Sequence, residues 1–347
     1  MANTASADTL VTVTGASGFI ATHCIVKLLQ EGYRVRGTLR SERRRPEVEA
    51  GMASQVDAGD RLTFALVDLT QDKGWDGAME GATYLLHVAS PIPASEPKDE
   101  NEVIVPAREG AKRALSAAMR AGVKRTVLTS SVGAVYIGLD RSRLKPFDGS
   151  DWSDTDAAIG AYPKSKTLAE RAAWELIESQ AGDQGMELAT INPAYVLGPS
   201  LIPDASLSAQ IVSKLIRREV PGCPDIRFNL VDVRDIAAAH VAAMTHPDAA
   251  GKRFIMGGEG VPMIEIAKIL ERAFADRGYK IPTRRMPKLL MRLVSIFDKT
   301  VRMVMDDVGR TTHMNTDPAR SILGWTPRSL EEMVVDTGES LITHGLV

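Results

Sequence analysis

Through the first two-thirds of the chain, short apolar and β-branched runs alternate with longer segments whose apolar residues return every three or four positions. The runs at 10–14, 34–39, 62–67, 84–88, 125–129 and 188–192 predict strands. Helical spacing marks 19–30, the alanine-rich 101–121, and 161–180. This alternation predicts βαβ units, and so an α/β fold with a doubly wound parallel sheet and helices on both faces. After Pro193 the rhythm breaks at Pro199, Pro203, Pro221 and Pro224. A strand-into-helix pattern returns at 230–244. From Gly251 onward the pattern reads as mostly helical, most clearly at 263–277 and 288–305. We therefore expect a main domain at 1–195, rejoined by about 226–250, and a smaller, mostly helical C-terminal lobe from 196–225 and 251–347. The 288–305 segment mixes Leu, Met, Val and Phe with Lys and Arg. That pattern suits a membrane surface or a lobe helix packing one face inward, and we favour the second.

Composition narrows the class. The 347 residues are 44% hydrophobic and 25% charged, with a net charge of −2, which gives no bulk attraction to nucleic acid or membrane. Two cysteines, Cys24 and Cys223, argue against a disulfide scaffold and fit a reducing cytoplasm. The first eight residues have neither the basic nor the apolar region of a signal peptide, and no run of apolar residues is long enough to span a bilayer. We assign no metal-ligand set.

The first strand runs into Thr14-Gly15-Ala16-Ser17-Gly18-Phe19-Ile20-Ala21. A glycine turn between strand and helix lets the backbone approach a pyrophosphate, and the helix N-terminus offers free N–H groups to it. The spacing is G-x-x-G-x-x-A, with Ala21 small enough for close helix–strand packing. The second strand ends in Thr38-Leu39-Arg40-Ser41, followed by Arg43, Arg44 and Arg45. An acid there would bond the ribose hydroxyls of NAD. A guanidinium instead grips a 2′-phosphate, so the placement of Arg40 points to NADP(H). A solvated basic loop is the plain alternative. Asp68, after the third strand, suits the adenine amine or a strand-end cap.

Tyr162 and Lys166 lie four apart at the start of a helix and share one face. Pro163 is tolerated in the first turn. An ammonium beside a phenol favours the phenolate, so the pair can exchange a proton with a carbonyl or alcohol near neutral pH. Ser131 follows the strand at 125–129, on the sheet edge where ligands bind. It could hold a substrate oxygen or cap a turn.

Together these residues resemble the extended short-chain dehydrogenase/reductase family. Within it they are most similar to the dihydroflavonol reductase, cinnamoyl-CoA reductase and yeast-type methylglyoxal/aldehyde reductase group. The matching stretches are VTGASGFIATH, YRVRGTLRS, LVDLT, LLHVASP, VLTSSVGAVY, YPKSKTLAE, INPAYVLGP and LVDVRDIAAAH. The resemblance implies a Rossmann-type domain. Gly15, Gly18, Phe19 and Ile20 would line the pyrophosphate, and Arg40, helped by Arg44 or Arg45, the 2′-phosphate. Asp68 and Leu69 would meet adenine. Val88, Ala89 and Ser90 would flank the nicotinamide ribose, and Pro193 to Val196 the nicotinamide. Ser131, Tyr162 and Lys166 would form the catalytic set. Dimers are common in the family.

Three departures bear on substrate. Ala21 replaces a third glycine, as in aldehyde reductases. Pro106 and Ala107 stand where many sugar-nucleotide members carry Asn. Tyr136 stands where flavonoid reductases present Asn or Asp, which argues against a flavonoid. Pro91 to Pro93, Val132, Tyr136, Tyr195, Leu201 and Ile202 are apolar or amphipathic, with no Arg or Lys among them. Such a set fits a small-molecule carbonyl, an aldehyde or bulky uncharged ketone, better than a sugar nucleotide. Val132 reads better as core. The competing readings are a sugar-nucleotide epimerase or dehydratase, and a non-catalytic NADP-sensing protein.

Overall fold

The strand at Leu10–Val13 (β1) buries three of its four side chains, and Arg125–Thr129 (β5) buries all five. Strands covered by helices on both faces have no solvent side, so they read as continuous apolar runs. The computed structural model describes residues 7–91, 97–180, 185–204, 206–287, 291 and 308–347. In chain order, β1 is followed by a helix at Phe19–Gln30 (α1), β2 at Arg34–Leu39, α2 at Arg45–Ala53 and β3 at Leu62–Leu66. Next come α3 at Trp75–Met79, β4 at Tyr84–His87, α4 at Asn101–Arg120, β5, α5 at Ala161–Glu178 and β6 at Glu187–Pro193. Then β7 spans Tyr195–Leu197, α6 Gln210–Ile216, β8 Arg227–Asp232, α7 Val233–Thr245, β9 Arg253–Met256 and β10 Gly260–Pro262. Among the described residues, the remaining helices are α8 at Met263–Phe274, α9 at Asp317–Leu323 and α10 at Leu330–Thr343.

Seven strands form one parallel sheet in the order β3-β2-β1-β4-β5-β6-β9. The chain winds outward from β1 to β3, then returns to β4 and winds the other way. The carboxyl ends of β1 and β4 are therefore the topological switch point, where open α/β sheets bind ligands. The doubly wound Rossmann class read from the sequence is the fold observed. Trp75, Met79, Leu85, Leu115 and Leu188 belong to one buried cluster of this sheet and its helices. Alanine and glycine at positions 107, 110 and 111 keep the inner face of α4 thin.

Two compact units result. The first comprises Met1–Pro193, Arg234–Met256 and Asn315–Thr326. The second comprises Ala194–Val233, Gly257–Met314 and Pro327–Val347. In the second unit, β10, β8 and β7 make a three-stranded sheet, β8 pairing parallel to β7 and antiparallel to β10. Its core joins Val212 and Leu215 of α6, Ile266 and Phe274 of α8, and Val334 of α10.

The pattern after Gly251 needs correction. Residues 253–256 were expected in the helical lobe, yet β9 is the seventh strand of the main sheet, paired with β6. Four residues, three of them buried, are too few to display a period. Residues 315–326, also assigned to the lobe, belong to the first unit. The helix expected at 288–305 falls outside the described residues except for Met291, which is buried. Among the described residues, no helix is long and apolar enough to cross a membrane.

Candidate active site

Gly15 has φ +72°, a left-handed conformation that favours glycine. A Cβ there would sit 3.1 Å from the Ala89 Cβ and 3.2 Å from its Cα. The turn is pinned from both sides. The Gly15 N–H donates to Thr38 Oγ1 (3.1 Å), and Ala16 N–H to the Thr38 carbonyl (2.8 Å). Thr14 Oγ1 accepts from the N–H groups of Val88 and Ala89, each at 3.0 Å, and lies 2.9 Å from His87 Nδ1. With both lone pairs so used, the hydroxyl gives its own proton to Nδ1, and His87 is neutral with Nε2 protonated. Burial, and then the charge of Lys166, hold His87 down to about 3. The structure thus brings together Gly15, Val88 and Ala89, three residues named for the cofactor. Gly18 caps α1 without a side-chain bond, and no acid occupies its first turn, where Phe19 and Ile20 lie. The positive helix end therefore has no side-chain cap or acid competing with an anion.

At the outer edge, Arg40 is exposed at the end of β2. Its charge reaches Asp68 beyond β3, whose carboxyl is held low chiefly by the hydroxyl and N–H of Thr70, with Arg40 adding to this. Asp68 is thus a strand-end cap as well as a neighbour of Arg40. Leu69 packs against Gly110 of α4. The expected help from Arg44 or Arg45 meets local competition. Arg44 grips Glu47 through two bonds of 2.7 and 3.1 Å, and Arg45 pairs with Glu42 and Glu49. Such surface pairs are worth about 0–1 kcal/mol, so a phosphate can displace them. Arg40 and Arg43 make no salt bridge among the described residues.

Tyr162 and Lys166 share a face of α5, the ammonium lying 6.0 Å from the phenol ring centre. Lys166 is 6% exposed and donates to the Thr129 carbonyl at 3.4 Å. Burial lowers it to about 8, opposed by the charge of Glu170. Ser131 ends β5. Its hydroxyl accepts from Gly133 N–H (3.0 Å), and its carbonyl accepts from Asn192 Nδ2 (3.3 Å). The hydroxyl therefore still has its proton to donate. Thr129 is fixed from below: its hydroxyl faces His240 Nε2 at 2.6 Å, while His240 Nδ1 faces the Ile236 carbonyl at 2.8 Å. The carbonyl takes the Nδ1 proton, so Nε2 accepts from Thr129.

Sequence reading missed Glu170 and Arg253. Glu170 lies one turn beyond Lys166, and its carboxylate receives Ser130 Oγ (2.5 Å), Asn192 Nδ2 (2.8 Å), Thr190 Oγ1 (3.0 Å) and Arg253 Nε (2.6 Å). The spacing of 162, 166 and 170 was a legible signal. Arg253, distant in sequence, left none.

The residues named for substrate separate. Val132 and Ile202 are buried core. Pro91 is half-buried, and Ile92 and Pro93 lie outside the described residues. Tyr136 packs 5.5 Å from Phe147, and Arg141 lies over its ring at 5.4 Å. The sequence set held no cation, so Arg141 is an addition. Pro193 closes β6 in the first unit. In the second unit, Val196 is buried in β7, and Tyr195 is 44% exposed, edge-on to Phe228 at 5.2 Å.

The NAD dependent epimerase/dehydratase family matches residues 11–257. Cinnamoyl-CoA reductase 1 of Arabidopsis thaliana is 35% identical over 278 residues, covering 79% of this chain and 77% of that protein. Tetraketide alpha-pyrone reductase 1 of the same plant is 33% identical over 342 residues, 96% of each chain. A crystal structure of yeast methylglyoxal/isovaleraldehyde reductase complexed with NADPH matches with a TM-score of 0.80 and 25% identity, covering 97% of this chain and all of that one. On the strength of the match across residues 11–257, the chain belongs to the NAD dependent epimerase/dehydratase family, the extended short-chain dehydrogenase/reductases.

Proposed function

We propose that this chain is an NADPH-dependent carbonyl reductase that acts on aldehydes or bulky ketones, with Tyr162 as proton donor. The coarser statement is firm: the chain is an NADP-dependent oxidoreductase of its family, as its reductase relatives and the NADPH-bound yeast enzyme indicate. The observation that carries the finer reading is the buried Lys166 ammonium 6.0 Å from the Tyr162 ring centre on one face of α5, bonded to the Thr129 carbonyl two residues before Ser131. The glycine cradle that a Cβ would fill, the uncapped start of α1 and the exposed Arg40 fit NADP(H).

When bound, NADPH supplies the hydride to the carbonyl carbon. The chain's residues do the rest. Ser131 donates a hydrogen bond to the carbonyl oxygen and orients it. Tyr162 releases its hydroxyl proton to that oxygen, completing the alcohol. Lys166 stabilises the phenolate left behind, which is reprotonated from solvent. Gly15 and Gly18 line the pyrophosphate with Phe19 and Ile20, while Arg40, assisted by Arg44, holds the 2′-phosphate. Asp68 and Leu69 meet the adenine, and Val88, Ala89 and Ser90 the ribose. Pro193, which closes β6, borders the nicotinamide. Pro91 and Tyr136 present apolar or aromatic surface to the substrate.

A second reading, a thioester of an anionic carrier, has one observation in its favour: Arg141 over the ring of Tyr136. One panel separates the readings. NADPH oxidation is followed with isovaleraldehyde, phenylglyoxal, an aryl ketone, cinnamoyl-CoA and UDP-glucose, using wild type and Tyr162→Phe. We expect turnover of the aldehydes and ketone, lost by a factor of roughly 10²–10⁴ in the variant. Turnover of cinnamoyl-CoA alone would select the thioester. Turnover of UDP-glucose alone, or a fully active variant, would overturn the proposal.

A further inference from the structure

The Glu170 side chain is 0% exposed, and that of its partner Arg253 6%. A buried ion pair is a poor means of stabilising a fold, because removing both charges from water offsets most of their attraction. The bonding pattern points to another role for it. From α5, Glu170 reaches Ser130, the neighbour of Ser131 at the end of β5. It reaches Asn192 on β6, which uses its second N–H to hold the Ser131 carbonyl. Through Arg253 on β9 it reaches the carbonyls of Gly149 and Asp151, at 2.9 and 2.6 Å, and the ring of Trp152, 3.7 Å from the guanidinium. Arg253 also contacts the Ala134 carbonyl, just beyond Ser131. One carboxylate thus ties together the helix bearing Tyr162 and Lys166, the strand end bearing Ser131 and the segment that follows it.

We propose that Glu170 is the positioning residue of this site: its carboxylate, one helical turn beyond Lys166, keeps that ammonium in place and charged beneath Tyr162 and fixes the strand ends that present Ser131. This rests on the catalytic reading of Tyr162 and Lys166 above. The other titratable groups around Lys166 do not substitute. His87 on β4 and His240 on α7, which acts through Thr129, are neutral, and Arg253 on β9 is a cation. Tyr162 itself contributes no charge until it ionises. Glu170 is the carboxylate that sustains the Lys166 charge against burial.

The test reads Tyr162 directly, without substrate or cofactor. Ultraviolet difference titration of tyrosinate compares wild type with Tyr162→Phe, and Glu170→Gln with the Glu170→Gln/Tyr162→Phe double variant. Each difference isolates the Tyr162 step. Removing a negative charge two turns away would by itself ease ionisation of a phenol. If Glu170 acts through Lys166, the ammonium is lost earlier and the Tyr162 step moves up by about one pH unit. Glu170→Asp, which keeps the charge one methylene further back, should give a smaller upward move. Reduction of phenylglyoxal should lose roughly ten-fold in kcat, with KM for NADPH within about threefold of wild type. A merely structural role would lower the melting temperature and leave the Tyr162 step where it was. An unmoved or lowered step in folded Glu170→Gln overturns the proposal. Should that variant fail to fold, an unmoved step in Glu170→Asp overturns it as well. Full activity of Tyr162→Phe would instead strike the catalytic reading.

Discussion

Four arginines crowd the end of β2, and their surroundings divide them. Arg44 and Arg45 are held by glutamates of their own helical segment, while Arg40 is exposed, with its charge acting on Asp68 across the sheet edge. Arg40 therefore has the greater freedom to meet an incoming phosphate. Substituting Arg40→Ala should weaken NADPH binding roughly ten- to a hundred-fold, the size of one charge-assisted hydrogen bond. NADH lacks the 2′-phosphate, and its affinity should stay nearly constant. Titrating both cofactors by quenching of protein fluorescence checks this. Equal loss for the two would show that Arg40 acts on something other than the phosphate.

At the scale of elements, the turn between β1 and α1 is constrained by two independent demands. Its backbone needs a positive φ at Gly15, and Ala89 leaves no room for a side chain. Gly15→Ala should therefore cost about 1–2 kcal/mol from the left-handed conformation alone. It should also displace residues 88–90, which share the bonds of Thr14. We expect a lower melting temperature together with weaker NADPH binding. An unchanged cofactor affinity would mean that the turn does not touch the pyrophosphate. These elements were legible because a parallel strand buried on both faces is an apolar run, and the glycines and arginines stand at its ends. Other parts were hidden for physical reasons. A solvated basic loop was the plain alternative for the arginines after Arg40, yet residues 45–53 form a helix, with Arg44 at its start paired to Glu47 and Arg45 to Glu49. The strand at 253–256 is too short to show a period. Glu170 kept helical register with Tyr162 and Lys166, but its partners on β5, β6 and β9 are set by tertiary packing, which no local pattern records.

The whole molecule carries a second consequence of burial. His87 and His240 are both interior, and desolvation holds them neutral down to about 3 and about 4. In the unfolded chain a histidine takes its proton near ~6.5. Between these values the unfolded state binds protons that the native state refuses, so stability must fall as the solution is acidified from about pH 6.5 toward 4. At pH ~5 each histidine costs the fold about 2 kcal/mol relative to neutrality. The paired carboxylates Asp148 and Asp151 are lowered as well, but their unfolded values lie near ~4, so their contribution is lost only at lower pH and does not enter this interval. Their folded values lie below the ordinary carboxylate range, and they remain ionised at pH ~5. Urea unfolding at pH ~7.5 and ~5 should thus show a loss of about 4 kcal/mol in wild type. His87→Gln keeps an amide oxygen to accept the Thr14 hydroxyl but cannot titrate, and it should lose about 2 kcal/mol less over the same interval. Identical losses for the two proteins would mean that the buried imidazoles do not govern acid stability.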